Sequence, residues 1–407
     1  MGSGVENSFG RRTGRSRRAD RLRGLDASAG SFAPQAGERL AGLDLARLLA
    51  ALAVVVFHFG YAGPLRGSVA TAYPEIAGIA KYGFIGVDLF FLISGYVISA
   101  SAAGRTWRAF AVARTLRLYP AFVVCMTLTA VGALVLGARG QDVTVLQWLA
   151  NLTMVAPAFG QSFMDGAYWS IVVEIVFYGW VGVLIALGIF ERRFLTILAV
   201  WLAIAAVNEA FLHSRVLRLV LCTEYAGLFA AGMLVQRLRA GEKSLVAWVL
   251  LGLAVSLGAL GAFGMERLFV RLYGDTISRE TLWGLHLVIH AVFLGALWLS
   301  RWIAATPSVL ATGALTYPLY LLHQHLGYGV IDGLLPFAGR WGALVLTIAA
   351  VLALAYVVQR WAEPLGRELM RRALAAVPGQ WLASGAGIGR QRAAVMGRVR
   401  SAGLRPA

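Results

Sequence analysis

Three ionisable side chains, Asp44, Arg47 and His58, stand in one apolar run, GLDLARLLAALAVVVFHF, at residues 42–59. An Arg or Asp at the centre of a spanning helix costs about 2.5–3.5 kcal/mol on insertion scales, so such a residue is a functional candidate by default. Arg47 and His58 are eleven positions apart. At about 100° per residue they return to nearly the same helix face, separated by a rise of roughly 16 Å. One helix therefore presents a fixed cation near one membrane face and an imidazole, suited to proton transfer near neutrality, near the other. The plainer alternative is an interfacial pair, with Arg47 snorkelling to headgroups and His58 in the outer interface.

Two further stripes point the same way. In YWSIVVEIVFY, Ser170, Glu174 and Tyr178 recur at i, i+4, i+8, and in LTYPLYLLHQH, Thr316, Tyr320 and His323 recur at i, i+4, i+7. His58, Glu174 and His323 thus fall at comparable depth on three spans, and a site is expected where they meet. Asp88, in GVDLFFLISGYVIS, is an intramembrane acid expected to pair with a cation. Arg114 and Arg117 share a helix face; they read as a topogenic cluster or as a cytoplasmic anion site, since paired guanidiniums suit phosphate. The segment 138–168, with Asp142, Trp148, Asn151, Pro157 and Asp165 ahead of Trp169, offers aromatic and amide groups for a sugar or other polar acceptor, or an interfacial belt. His286 and His290 have the i, i+4 spacing of a helical metal pair, but no HExxH or acidic ligand accompanies them, so structural histidines are the favoured reading and no metal is expected. Glu224 is a further buried acid without a role.

The elements that must position these groups are helices. The chain of 407 residues is 59% hydrophobic and 14% charged, far from the balance of a soluble domain. The fold class is all-α: a polytopic integral membrane protein with about ten transmembrane helices in one bundle. Spans are expected near 40–60, 80–100, 119–137, 169–190, 194–212, 219–237, 244–264, 283–303, 308–328 and 341–362. Residues 101–118, 191–193 and 237–243 and the C-terminal end are basic and alternate with less biased segments. Both termini are therefore expected in the cytoplasm of a multi-pass protein of the cell inner (plasma) membrane, with the bilayer as its partner. The net charge of +17 follows from the same asymmetry, so no nucleic acid is expected as a partner. Residues 1–39, with seven arginines between Arg11 and Arg23, read as a disordered basic cytoplasmic tail and not as a cleaved signal. Residues 40–364 form the transmembrane domain, and 365–407 a basic cytoplasmic tail with a short amphipathic helix; Pro364 is expected to stop the last span. Cys125 and Cys222 read as small core residues, and the oligomeric state is not legible.

Taken together and in order, Arg47 and His58 with ten residues between them, GVDLFFLISGYVIS, RTLRLYP, WSIVVEIVFY, FAAG at 229–232, LTYPLYLLHQH and Glu363-Pro364 make the chain resemble the acyltransferase family 3 membrane proteins, which O-acylate sugars, polysaccharides and some antibiotics. The resemblance maps the family's essential Arg and His onto Arg47 and His58, its basic residues onto Arg114 and Arg117, and its fourth-span acid onto Glu174. Thr316-Tyr317 replaces the usual Ser-Tyr, and Pro318 is an addition. The soluble esterase-like domain of some members is not expected, so the membrane domain would act alone. The activity implied is transfer of an acyl group, by preference acetyl, from acyl-CoA to a hydroxyl of a glycan or glycolipid. In that reading Arg47, Arg114 and Arg117 hold the donor. His58 acts as general base or acyl carrier, with Glu174 and His323 as catalytic partners, and Asp88, Trp169, Ser170 and Tyr320 bind substrate. The competing class is a transporter or flippase, in which the same charges line a substrate or proton pathway.

Overall fold

The computed structural model describes residues 40–137 and 143–376. The tail expected at 1–39 and residues 377–407 of the tail expected at 365–407 lie outside these, as does Asp142. Among the described residues there are helices and no strands, and nine helices are at least 18 residues long and apolar enough to cross a membrane. The all-α, polytopic architecture follows from the solvent: a bilayer leaves backbone N–H and C=O groups no partner but their own helix.

Helix α1 (Ala41–Phe57) carries Leu43, Ala46, Ala50 and Val54 on its buried face, while Leu49 and Val56 face outward. It continues as a π-turn, His58–Ala62, so the imidazole sits at a change of helical pitch. Helix α2 (Ile85–Ala102) crosses α6 (Ala226–Arg239) so closely that a Cβ on Gly95 would lie 2.1 Å from the Phe229 carbonyl oxygen, and one on Gly232 would lie 2.0 Å from that of Leu92. Backbone contact of this kind substitutes for the hydrophobic effect between helices already surrounded by apolar lipid. The other long elements are α3 (Trp107–Leu136), α4 (Trp169–Ala186), α5 (Phe194–Val207), α7 (Leu245–Ala262), α8 (Arg279–Leu299), α9 (Pro307–Leu322), α10 (Gln324–Val357) and α11 (Glu363–Ala376).

Four boundaries depart from the sequence reading. The basic stretch before Pro120 is not a loop. Thr106 caps α3 by accepting a hydrogen bond from Ala109 N (3.3 Å), the helix starts at Trp107, and Pro120 lies inside it, so Arg114 and Arg117 sit on a helix face. The expected sixth span is broken: Arg215–Leu221 ends where Cys222 takes φ +50°, and Glu224 lies in the turn before α6. The span expected at 308–328 divides at His323 into the 16-residue α9 and the start of α10, which itself kinks at Gly339. Pro364 does not stop the last helix; it directly follows the π-turn Val358–Ala362, and the helix runs on through it as α11 to Ala376. Because α9 is short, nine rather than ten helices meet the 18-residue length.

Candidate active site

A cavity of about 1170 Å³ opens among α1, α2, α3, α4, α6, α9 and the start of α11, and six guanidiniums line it: Arg47, Arg105, Arg114, Arg117, Arg239 and Arg367. Arg47 lies 3.6 Å from Asp44, one helical turn away, and Arg367 pairs with Glu363. Arg114 and Arg117 form no ion pair with any described residue. Arg114 lies instead over the rings of Phe110 (5.7 Å) and Tyr178 (5.8 Å), and its buried Nε has no hydrogen-bond partner. Uncompensated buried guanidinium is expensive. Such groups, planar and rich in donors, fit a polyanion such as phosphate. The sequence reading brought Arg47, Arg114 and Arg117 to one place, and the structure does the same.

The α4 stripe faces this cavity as its spacing predicts: Ser170, Glu174 and Tyr178 all line it. Glu174 accepts from Ser94 of α2 (3.0 Å) and from Tyr178 on its own helix. At the far end Ser170 and Tyr320 share a hydrogen bond of 2.7 Å, and the Tyr320 hydroxyl also donates to the Ala167 carbonyl (3.2 Å). Phe90 packs edge-on to the Tyr320 ring at 5.6 Å, closing that end.

The two histidines lie beyond this wall. The Tyr320 ring is 5.5 Å from that of His323, which is in turn 5.0 Å from that of His58. His323 is fully buried; its Nδ1–H donates to the Tyr320 carbonyl (2.7 Å), and its Nε2 has no partner. His58 Nδ1 is 3.1 Å from the Tyr328 hydroxyl. Glu174 makes no hydrogen bond or ion pair to His58 among the described residues. The expected carboxylate–imidazole pair is therefore replaced by two separate centres: Glu174 with Ser94 and Tyr178 in the cavity, and His58 with His323 and Tyr328 behind Tyr320. Equal depth on three spans did not imply contact, because depth fixes one coordinate and helix rotation another.

Asp88 and Trp169 lie elsewhere. Asp88 forms no ion pair among the described residues; the charge it senses is a second carboxylate, Glu224, contrary to the expected cation. Trp169 does not itself line the cavity; its ring packs against Tyr225 (5.7 Å) and against Phe91 (6.3 Å), which does. In the segment before α4, Asn151 is buried and donates to the Gln147 and Ser162 carbonyls, and Trp148 donates to Thr127 (3.2 Å), so both hold the loop in place. His286 is 2.8 Å from the Val255 carbonyl and His290 is 2.8 Å from that of His286, which makes them structural. Among the described residues no three His, Cys, Asp or Glu side chains are grouped to hold a metal.

The sequence reading missed Tyr328, Gln324 and Ser94, and named Asp165 only among the groups of segment 138–168 that could meet an acceptor. Gln324, inside LYLLHQH, and Tyr328, three residues past it, are spaced i, i+4, a stripe that was legible had the helix been continued through His323. Asp165 is buried and ties the segment before α4 to α10, accepting from Ala167 N and His325 N at 2.9 Å each.

A family profile described as an acyltransferase domain matches residues 40–360. An O-acetyl transferase of Shigella phage Sf6 is 42% identical over 87 residues, 21% of this chain and 24% of that protein. The chain thus spans about a quarter of the length of this curated relative. No solved structure matches.

Proposed function

Because the chain belongs to the acyltransferase family whose profile covers residues 40–360, we propose that it is an integral-membrane O-acyltransferase. It moves an acyl group, acetyl by preference, from acyl-CoA to a hydroxyl of a glycan or glycolipid. The observation that carries this reading is the cavity in which Arg114 and Arg117, without carboxylate partners, stand at one end and Tyr320 closes the other. Donor phosphates sit among the guanidiniums, and the pantetheine arm runs along α1, whose Arg47-to-His58 rise of roughly 16 Å sets its reach. The thioester then meets the wall at Ser170 and Tyr320, and transfer requires the Tyr320 ring to move aside so that the carbonyl reaches the histidines behind it.

His58 takes the proton of the acceptor hydroxyl as its oxygen attacks the thioester carbonyl carbon; the C–S bond breaks and the thiolate leaves with coenzyme A. General base catalysis of this kind contributes typically about 10²–10⁴-fold. His323, with its Nε2 free, lies within reach of the same space. The protein resides in the plasma membrane with both termini cytoplasmic, so the donor enters from the side where acyl-CoA is made, and residues 40–364 act as one domain.

The test is donor dependence in washed membranes supplied with acyl-labelled CoA. Arg114→Ala raises the apparent KM for the donor more than it lowers kcat. A fall in kcat with KM unchanged removes Arg114 from the donor site. Movement of the acceptor across the membrane without donor supports a transporter instead.

A further inference from the structure

Tyr328 stands where a catalytic triad would place its acid. Its hydroxyl is 3.1 Å from His58 Nδ1, and the two rings meet at 6.4 Å and 63°. The approach is built in from both sides. A Cβ on Gly63, at the end of the π-turn that carries His58, would lie 2.7 Å from the Tyr328 ring, and Phe59 of the same turn packs against that ring at 6.2 Å. Gln324, one helical turn before Tyr328 on α10, is buried beside the Tyr328 hydroxyl, and its Oε1 has no hydrogen-bond partner.

We infer that Tyr328, backed by Gln324, is the positioning residue that holds His58 as the Nδ1–H tautomer, leaving Nε2 as the base. The inference rests on the acyltransferase reading for its kinetic consequence and on geometry alone for the tautomer. With the Gln324 carboxamide turned so that its oxygen faces the hydroxyl, the chain runs His58 Nδ1–H to Tyr328 Oη, and Tyr328 O–H to Gln324 Oε1. This turn gives the buried Oε1 of Gln324 a partner, and amide oxygen and nitrogen are interchangeable in shape. When Nε2 takes the acceptor's proton, the imidazolium keeps its Nδ1–H on a neutral oxygen; the proton then passes from Nε2 to the departing thiolate. The other titratable or charged groups that face His58 are His323, His325 and Arg66, and none of them is a carboxylate that could accept from the ring. The tyrosine oxygen is therefore the polar group positioned to accept from that cation.

Two measurements separate this inference from the activity on which it depends. The first is the ¹⁵N spectrum of ring-labelled histidine in the full-length protein in lipid at a pH where the imidazole is neutral, with the His58 signals assigned by difference against His58→Gln. The inference requires Nδ1–H in the wild type and a mixture of tautomers in Tyr328→Phe; Nε2–H in the wild type overturns it, whether or not transfer is detected. The second is kinetic, with acyl-labelled acetyl-CoA and native membranes. Tyr328→Phe lowers kcat by about 10–100-fold with donor KM unchanged, and moves the acid limb of the pH–rate profile to lower pH, because the imidazolium has lost its acceptor. A variant with reduced thermal stability but wild-type kcat per folded molecule and an unmoved profile makes Tyr328 a packing residue and overturns the inference.

Discussion

At the scale of residues, the site divides along Tyr320. On one side lie cations without carboxylate partners, Arg114 and Arg117, with Glu174 held by Ser94 and Tyr178. On the other lie His58 and His323, rings 5.0 Å apart. Glu174→Gln keeps an oxygen for Ser94 and Tyr178, and leaves His58 untouched. Its transfer rate is expected to fall by less than about tenfold, the range of one hydrogen bond at 0.5–1.5 kcal/mol, with the acid limb of the pH–rate profile unmoved. A shift of that limb, measured from pH 5 to 9 in membranes, would make Glu174 the partner of the imidazole after all. The residues themselves were legible because charge in an apolar run is conspicuous. Their pairing was not, because Ser94, Tyr178 and Tyr328 are ordinary residues of membrane helices until a neighbour turns them inward.

At the scale of elements, glycine decides how close helices come. Gly95→Ala drives a Cβ into the Phe229 carbonyl, so α2 and α6 must separate; overpacking of this kind costs typically about 1–3 kcal/mol. The variant is expected to unfold at lower temperature in detergent than the wild type, and an unchanged midpoint would mean that the crossing is looser than described. On the end of the bundle that holds His58, Asp275 accepts from Tyr61 (2.7 Å) and pairs with Lys81 (2.8 Å), tying the segment before α8 to the π-turn. Lys81 first, and then Tyr61, hold the Asp275 carboxyl below its ordinary value. A carboxylate depressed in the folded state stabilises above its unfolded pKa and loses that contribution as pH falls through the folded one. The wild type is therefore expected to lose stability below the ordinary carboxylate value, and Asp275→Asn to lose less over the same interval. Equal acid sensitivity in a thermal-shift series from pH 6 to 3 removes the latch. Helix existence was legible throughout from apolar length, whereas boundaries failed at charge and proline. The arginines of α3 looked like loop because they face a cavity, and Pro120 looked like a start because its position inside a helix depends on packing that the sequence does not display.

At the scale of the whole molecule, the cavity and the histidines occupy successive levels of one bundle, with the basic segments joining α2 to α3, α4 to α5 and α6 to α7 at the cavity's end. The proposed topology makes that end cytoplasmic. Donor and acceptor then approach from opposite faces, and Tyr320 with Phe90 stands between them, 5.6 Å ring to ring. The all-α, multi-pass plan was legible from hydropathy. The wall was not, since Phe90 and Tyr320 come from helices far apart in the chain and nothing in either segment marks the other as its neighbour.

The most direct measurement uses the purified protein in liposomes, acyl-labelled acetyl-CoA on one side, and a glycan and glycolipid extract of the source membrane as acceptor, with His58→Ala alongside. The account predicts label on acceptor hydroxyls with the wild type and a loss of at least about 100-fold with the variant, the lower bound for removing a general base. Transfer by His58→Ala at the wild-type rate would contradict it.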